Sequence, residues 1–222
     1  MLTLAIETSG KCASVAVGLP GKIIASSWQN SGYTHSQTLM PMIETTLKNC
    51  KLTFDDIERL AVACGPGSFT GIRIGISTIL GLAFAKNLPC VPVSTLDALY
   101  AQTAHFEKDY IICPALDARR EQVYNALFRS GRLCPDRALA ISQLCEQAKT
   151  ENAPYLFVGD GAQMCYDYFT QQNTPCGIAP QHILLQNALG VLIAAEQAEP
   201  VAPQELKPIY LRQSQAERNL KP

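Results

Sequence analysis

The sequence predicts an α/β protein of two related lobes, and three observations predict it. A hairpin meander with an acidic turn opens the chain and returns in its second half. A strand, a glycine-rich turn and a helix meet in the middle of the first half. Short apolar runs alternate with helical stripes elsewhere.

Leu2–Ile6 reads as a first strand, Glu7-Thr8-Ser9-Gly10 as a turn and Ala13–Leu19 as a second strand. Pro20-Gly21 then turns into a third strand, Lys22–Ala25. Leu39, Met42, Ile43, Leu47 and Cys50 step at helical spacing, and Thr34-His35-Ser36-Gln37 precedes them. Pro41 fits a first helical turn, where a missing N–H costs nothing. His35 reads as a cap or surface residue more readily than as a ligand.

Leu60–Cys64 reads as a buried strand that runs into Gly65-Pro66-Gly67-Ser68-Phe69-Thr70-Gly71-Ile72-Arg73-Ile74-Gly75. The glycines allow backbone angles closed to other residues, and Ser68 or Thr70 is placed to cap the helix that follows. Such a corner is either structural or an anion site, since free N–H groups open the helix. It lacks the spacing of a dinucleotide fingerprint and the Gly-Lys-Ser/Thr ending of a P-loop. Ile72, Ile76, Ile79, Leu80 and Ala83 form one stripe, and Gly71 and Gly75 share an edge open to close approach by another helix. Apolar residues beyond that stripe leave two outcomes, deep burial or a partner. Ser94 and Asp97 have capping-box spacing ahead of Leu96, Leu99 and Tyr100.

The polar stretch His105–Asp109 is the expected boundary, giving lobes 1–108 and 109–222. Laying Ala5 on Ala115 places Ala5-Ile6-Glu7 over Ala115-Leu116-Asp117, Val15-Ala16-Val17 over Asn125-Ala126-Leu127, and Gly21-Lys22-Ile23 over Gly131-Arg132-Leu133. The second lobe is expected to be reduced. It offers a helix from Ser142 to Lys149, a strand Tyr155–Val158, the turn Gly159-Asp160-Gly161 and an amphipathic helix Gln186–Gln197. Pro208–Arg212 reads as extended, with a frayed polar end beyond it.

Apolar residues make up 47% of the 222 and charged residues 17%, which supports a substantial core and excludes a disordered chain. A net charge of −1 excludes a molecule-wide basic field. The nine cysteines show neither C-x-x-C spacing nor a histidine partner, so they are expected to be buried thiols in a reducing cytosol. No leader and no run of about 20 apolar residues is visible, which points to a cytoplasmic protein with no membrane contact.

Glu7 and Asp117 hold matching places in the two hairpins. In two-lobed folds such turns face each other across a cleft, where paired acids suit a magnesium–nucleotide. Glu7, Ser9, Asp117 and Arg119 are therefore candidates for nucleotide or phosphate contact, against the alternative of solvated turns with a local ion pair. No residues are assigned to catalysis or to metal, for neither G-x-S-x-G nor H-E-x-x-H occurs.

Several motifs recur in the order seen in one family: Ala5-Ile6-Glu7-Thr8-Ser9, His35-Ser36-Gln37, the long glycine motif Gly65–Gly75, Ser94–Leu99, Asp117-Ala118-Arg119-Arg120 and Tyr210-Leu211-Arg212. On these the chain resembles the TsaB (YeaZ) family along nearly its whole length. The resemblance implies an actin-like, Hsp70-like (ribonuclease H-like) fold with mixed sheets. It implies a non-catalytic partner of TsaD, which transfers a threonylcarbamoyl group from its adenylate to the N6 amine of the adenosine beside the anticodon of tRNA. TsaE is the further partner implied, with homodimers when the chain is isolated and tRNA met through the complex. Leu39, Met42, Ile43, Ile72, Gly75, Ile76 and Ile79 are the expected docking residues. No cofactor is required by this chain alone, and ATP or ADP with magnesium stays open for the complex. The H-x-x-x-H metal pair of TsaD-like relatives is missing after Val91-Pro92-Val93. Relatives usually carry Asp where Glu7 stands. The alternatives are an actin-like ATP-binding phosphotransferase or ATPase and, behind it, a metallopeptidase.

Overall fold

A computed structural model describes residues 1–212. The first half contains β1 (Thr3–Glu7), β2 (Ala13–Leu19), β3 (Lys22–Gln29), α1 (His35–Asn49), β4 (Arg59–Gly65), α2 (Phe69–Lys86), β5 (Cys90–Ser94) and α3 (Thr95–Thr103). The second contains β6 (Ile111–Asp117), β7 (Gln122–Asn125), β8 (Arg137–Ala140), α4 (Ile141–Ala148), β9 (Tyr155–Val158), α5 (Ala162–Gln171), β10 (Cys176–Ile178), α6 (Gln181–Leu184) and α7 (Ala188–Ala194).

The two sheets have one topology. The first runs β3-β2-β1-β4-β5 and the second β8-β7-β6-β9-β10. In each, the opening hairpins are antiparallel and the last two strands join parallel. The ungapped alignment slips at the first turn. Ala5 opposes Ala16, whereas Ala115 opposes Asn125, so the second turn is one residue shorter. Asn125 is thus the counterpart of Ala16 rather than of Val15. A slip of one residue exchanges the faces of a strand. Gly21 and Gly131 do both sit at hairpin tips with positive φ.

Alternation along the strands sets the packing. Leu4, Ile6, Val15, Val17, Leu60 and Val62 project to the face covered by α1 and α2. Ala5, Ala16, Ala61 and Ala63 project to the other face, where α3 and α7 lie. Alanine there leaves room for close approach. Gly190 completes the fit, because a Cβ on it would lie 2.1 Å from the Ala98 carbonyl oxygen. Helix α3 serves both lobes, with Ala98 on the first sheet and Leu96 and Leu99 against Ile112, Leu116 and Leu156 of the second.

Several local expectations shift. Helix α1 begins at His35, so Pro41 lies in its interior and removes one helical hydrogen bond. Helix α2 starts earlier than its stripe suggested, with Ser68 as its cap: the Gly71 N–H donates to Ser68 Oγ. By length and mean hydropathy of 1.3, α2 passes as a membrane span, yet Ile72, Ile76, Ile79 and Ala83 sit in the core. Asp97 does not close a capping box on Ser94 and instead pairs with Arg132 at 2.6 Å. Ala140 precedes α4, with Ser142 inside the helix. The helix expected over Gln186–Gln197 shortens to α7, capped by Asn187. The chain after Asn187 returns to the first sheet, with Leu206 in that core and Val201 bridging Cys90. The frayed end expected beyond Arg212 lies outside the described residues. All nine cysteines are free thiols.

Candidate functional site

Where the lobes meet, the turns after β1 and β6 face each other across a cavity of about 340 Å³. Ser9, Lys11 and Phe69 line one side, and Asp117, Arg119, Tyr124 and Asp160 the other. Three of the four expected contact residues, Ser9, Asp117 and Arg119, therefore come together. Glu7 does not. It ends β1 with no exposed surface, and its Oε1 accepts the backbone N–H of Ser9. Its Oε2 has no hydrogen-bond partner. Burial pushes the carboxyl up to about 7, against hydrogen bonds from Ser9 that pull it down.

The glycine corner is bound into this region. Thr8 Oγ1 donates to the Gly71 carbonyl at 2.8 Å, and the Ser68 N–H donates to the Ser9 carbonyl. A Cβ on Gly71 would lie 2.0 Å from the Thr8 carbonyl oxygen, and one on Gly75 2.5 Å from Thr8 Oγ1. The glycine pair thus admits the β1–β2 turn, where another helix was expected.

Across the cavity, the Asp117 N–H donates to Asp160 Oδ1 at 3.1 Å. Asp117 accepts the Arg119 N–H at 2.7 Å and holds its guanidinium at 3.2 Å. Burial raises the Asp160 carboxyl above the ordinary range. The Gly159-Asp160-Gly161 turn follows β9 as Gly65-Pro66-Gly67 follows β4, and Gly159 and Gly65 share positive φ. That repeat was the available signal for Asp160. Gln186, with its amide buried against Gly10, had none.

A magnesium–nucleotide held by Glu7 and Asp117 does not fit these residues. Glu7 is sealed below the cavity, the turn's Ser9 N–H is spent on it, and Asp117 and Asp160 turn negative charge toward any phosphate. Among the described residues no group of three His, Cys, Asp or Glu side chains stands at metal-binding distance.

The last described residues close over the cleft mouth. The Ile209 N–H donates to the Cys64 carbonyl at 2.7 Å. Tyr210 stacks on Phe69, and Arg73 Nε donates to its hydroxyl at 2.9 Å. Arg212 donates to the Ala118 carbonyl at 3.1 Å and lies over Tyr124. The tail thereby joins the β4–α2 corner of one lobe to the β6–β7 turn of the other. Sequence reading found Tyr210-Leu211-Arg212 as a motif and not as part of the site.

The expected docking residues lie elsewhere. Leu39, Ile43, Ile72, Ile76 and Ile79 are buried in the chain's own core, with Gly75 buried beside Thr8. Met42 alone of the set is half-buried against that core. Helical periodicity marks an apolar face without saying what covers it.

Residues 29–220 match the family model described as TsaD, tRNA N6-adenosine threonylcarbamoyltransferase. The tRNA threonylcarbamoyladenosine biosynthesis protein TsaB of Bacillus subtilis is 34% identical, over 98% of this chain and 96% of its own. The solved YeaZ of Pseudomonas aeruginosa superposes with a TM-score of 0.81 at 26% identity, covering 95% of this chain and 99% of that one. An activator of the 2-hydroxyisocaproyl-CoA dehydratase from Clostridium difficile, solved with bound ADPNP, shares the fold alone. Its TM-score is 0.50 at 13% identity, covering 95% of this chain and 100% of that one. The strand order, the duplicated lobes and these likenesses together make this an actin-like protein, and the chain belongs to the TsaB (YeaZ) family within the group described by the threonylcarbamoyltransferase model.

Proposed function

We propose that this chain is the non-catalytic partner of a TsaD-type transferase in forming threonylcarbamoyladenosine in tRNA. The observation that carries the reading is the cleft. Its acids are each engaged by backbone N–H groups of the turns around it, and Glu7, one of the two acids expected to meet a metal, is sealed beneath it. Chemistry then belongs to the partner, and this chain contributes a surface. Nucleotide use, with ATP or ADP and magnesium, is assigned to the assembly rather than to this cleft. TsaE joins as the further component, tRNA enters through the complex, and the isolated chain pairs with itself. The work is placed in the cytoplasm, and the lobes in 1–108 and 109–222.

The docking face is then the outward side of the same two helices. Among the residues that α1 and α2 leave outward are Met40, Pro41, Ser77, Gly81 and Phe84, with Ile74 half-buried and the charged Glu44, Lys48, Arg73 and Lys86 also exposed. Phe84 is 68% exposed, and nothing lies within 4 Å of a Cβ added to Gly81. Small residues beside an exposed aromatic suit close packing of a second helical pair.

The test is reconstitution of tRNA modification with each component omitted in turn, alongside Gly81→Arg. The expected result is loss of modification without this chain, and loss of pairing in the variant with an unchanged melting temperature. Full modification by the transferase without this chain would overturn the reading. Calorimetry with magnesium–ATP on the isolated chain decides against the phosphotransferase reading if no heat of binding appears.

A further inference from the structure

We infer that the mouth of the interlobe cleft is a contact surface for a single strand of RNA, so that this chain touches the nucleic acid itself; the inference rests on the functional reading above. The molecule carries a net charge of −1, yet five of its 18 lysines and arginines stand around this mouth. Lys11 lines the cavity, Arg119 and Arg120 project from the β6–β7 turn, and Arg73 and Arg212 flank Tyr210. Among the described residues Lys11, Arg73, Arg120 and Arg212 meet no carboxylate at ion-pair distance; Arg73 and Arg212 are held by ring faces and one hydrogen bond each, so no anion of the described chain neutralises these four charges.

The turn that carries two of them is costly. Arg119, Arg120 and Glu121 hold φ of 66°, 55° and 57°, a region in which glycine or asparagine is the ordinary choice. Arginine in that place is explained by its side chain. The Arg119 side chain is 85% exposed.

Aromatic rings alternate with these cations. Phe69 and Tyr210 stack at 4.3 Å, with the Arg73 guanidinium 5.8 and 5.7 Å from their centroids, and Arg212 lies 5.9 Å over Tyr124. Guanidinium groups for phosphates and ring faces for bases are the two components of single-strand recognition. The carboxylates beneath decide the orientation. Asp117 and Asp160 repel phosphate, so the backbone runs along the arginine rim. Both Asp117 oxygens are taken by Arg119, so the Asp160 oxygen not bonded to the Asp117 N–H is the one that accepts from a base amino group or a ribose 2′-hydroxyl, a donor that DNA lacks. A cavity of about 340 Å³ admits a base and not a duplex.

The experiment uses the assembly of this chain with its transferase partner. The probes are an anticodon stem-loop RNA and a DNA of the same sequence, titrated at several salt concentrations. R119Q/R120Q is the variant, both side chains being at the surface. The expected result is RNA binding weakened about tenfold, with a salt dependence shallower by roughly one to two in log–log slope. Pairing and melting temperature are expected to stay unchanged, and DNA to bind more weakly than RNA. Equal RNA affinity and slope in variant and wild type would overturn the inference. Loss of pairing in the variant would also overturn it, assigning the arginines to a protein contact. If the wild-type assembly fails to modify tRNA, the functional reading falls and this inference with it. If modification proceeds and the variant binds RNA as the wild type does, only this inference falls.

Discussion

Tyr210 lies flat on Phe69, with ring centroids 4.3 Å apart and planes inclined by 15°. The tail of the chain therefore rests on the start of α2, and two residues later Arg212 reaches the Ala118 carbonyl of the opposite lobe. An aromatic pair of this kind contributes ~1 kcal/mol beyond its burial. Tyr210→Ala is expected to lower stability by about 1–2 kcal/mol. It should also speed amide exchange in the 117–121 turn, because the clasp that holds it is gone. Denaturant titration and hydrogen exchange by mass spectrometry check both. Unchanged exchange in that turn would show that the tail does not couple the lobes.

Gly71 and Gly75 are filled by Thr8. Gly71→Ala forces the β1–β2 turn away from α2 and is expected to cost about 1–3 kcal/mol in urea unfolding. Gly75→Arg is expected to leave no folded protein, whereas Gly81→Arg folds normally. Comparison of circular dichroism melting curves for the two arginine variants separates core glycine from surface glycine.

Glu7 gives the fold a pH dependence. Its carboxyl rises from an ordinary 4.5 to about 7 through burial, so the neutral form is the one the fold prefers. Its contribution is fully present below about 4.5 and is lost as pH climbs through about 7. The whole shift is worth ~3 kcal/mol at most. Glu7→Gln keeps an acceptor for the Ser9 N–H and removes the titration. The variant is expected to match the wild type near pH 4 and to exceed it in stability at pH 8. Identical pH profiles of unfolding free energy would refute this.

Asn187 caps α7 by accepting the Leu189 N–H at 3.0 Å and also meets Ser14 Oγ at 3.1 Å. Asn187→Ala is expected to cost about 1 kcal/mol. The loss should appear as faster exchange in β2 as well as in α7, since the cap ties helix to sheet. An effect confined to α7 would show the Ser14 contact to be idle.

Much of the architecture is legible along the chain, because it rests on local periods. The short run Ala13–Leu19, bounded by the turn Pro20-Gly21, made β2 readable to its ends, and the returning acidic turn made the two lobes readable. The exchange of one residue between the hairpins was not, for an ungapped comparison has no access to cross-strand partners such as Ala115 and Asn125. The candidate site was half legible. Ser9, Asp117 and Arg119 stood out because they sit in turns with unusual chemistry. Asp160, Gln186 and Arg212 did not, because each joins the cleft through contacts made across long stretches of sequence.

The linear order of residues was enough to settle the α/β class, the paired hairpins, the glycine corner and the family. All of these depend on neighbours within a few positions or on motifs read as they stand. Only the folded molecule decided which side of α1 and α2 is core. Leu39 and Ile72 carry the same helical signal whether they meet a sheet or a partner, and burial is a property of what stands opposite. It likewise decided that Glu7 lies sealed while Asp117 faces the cleft, since equal places in two repeats receive unequal cover when one turn is packed against Gly67 and Gly71 and the other is left open.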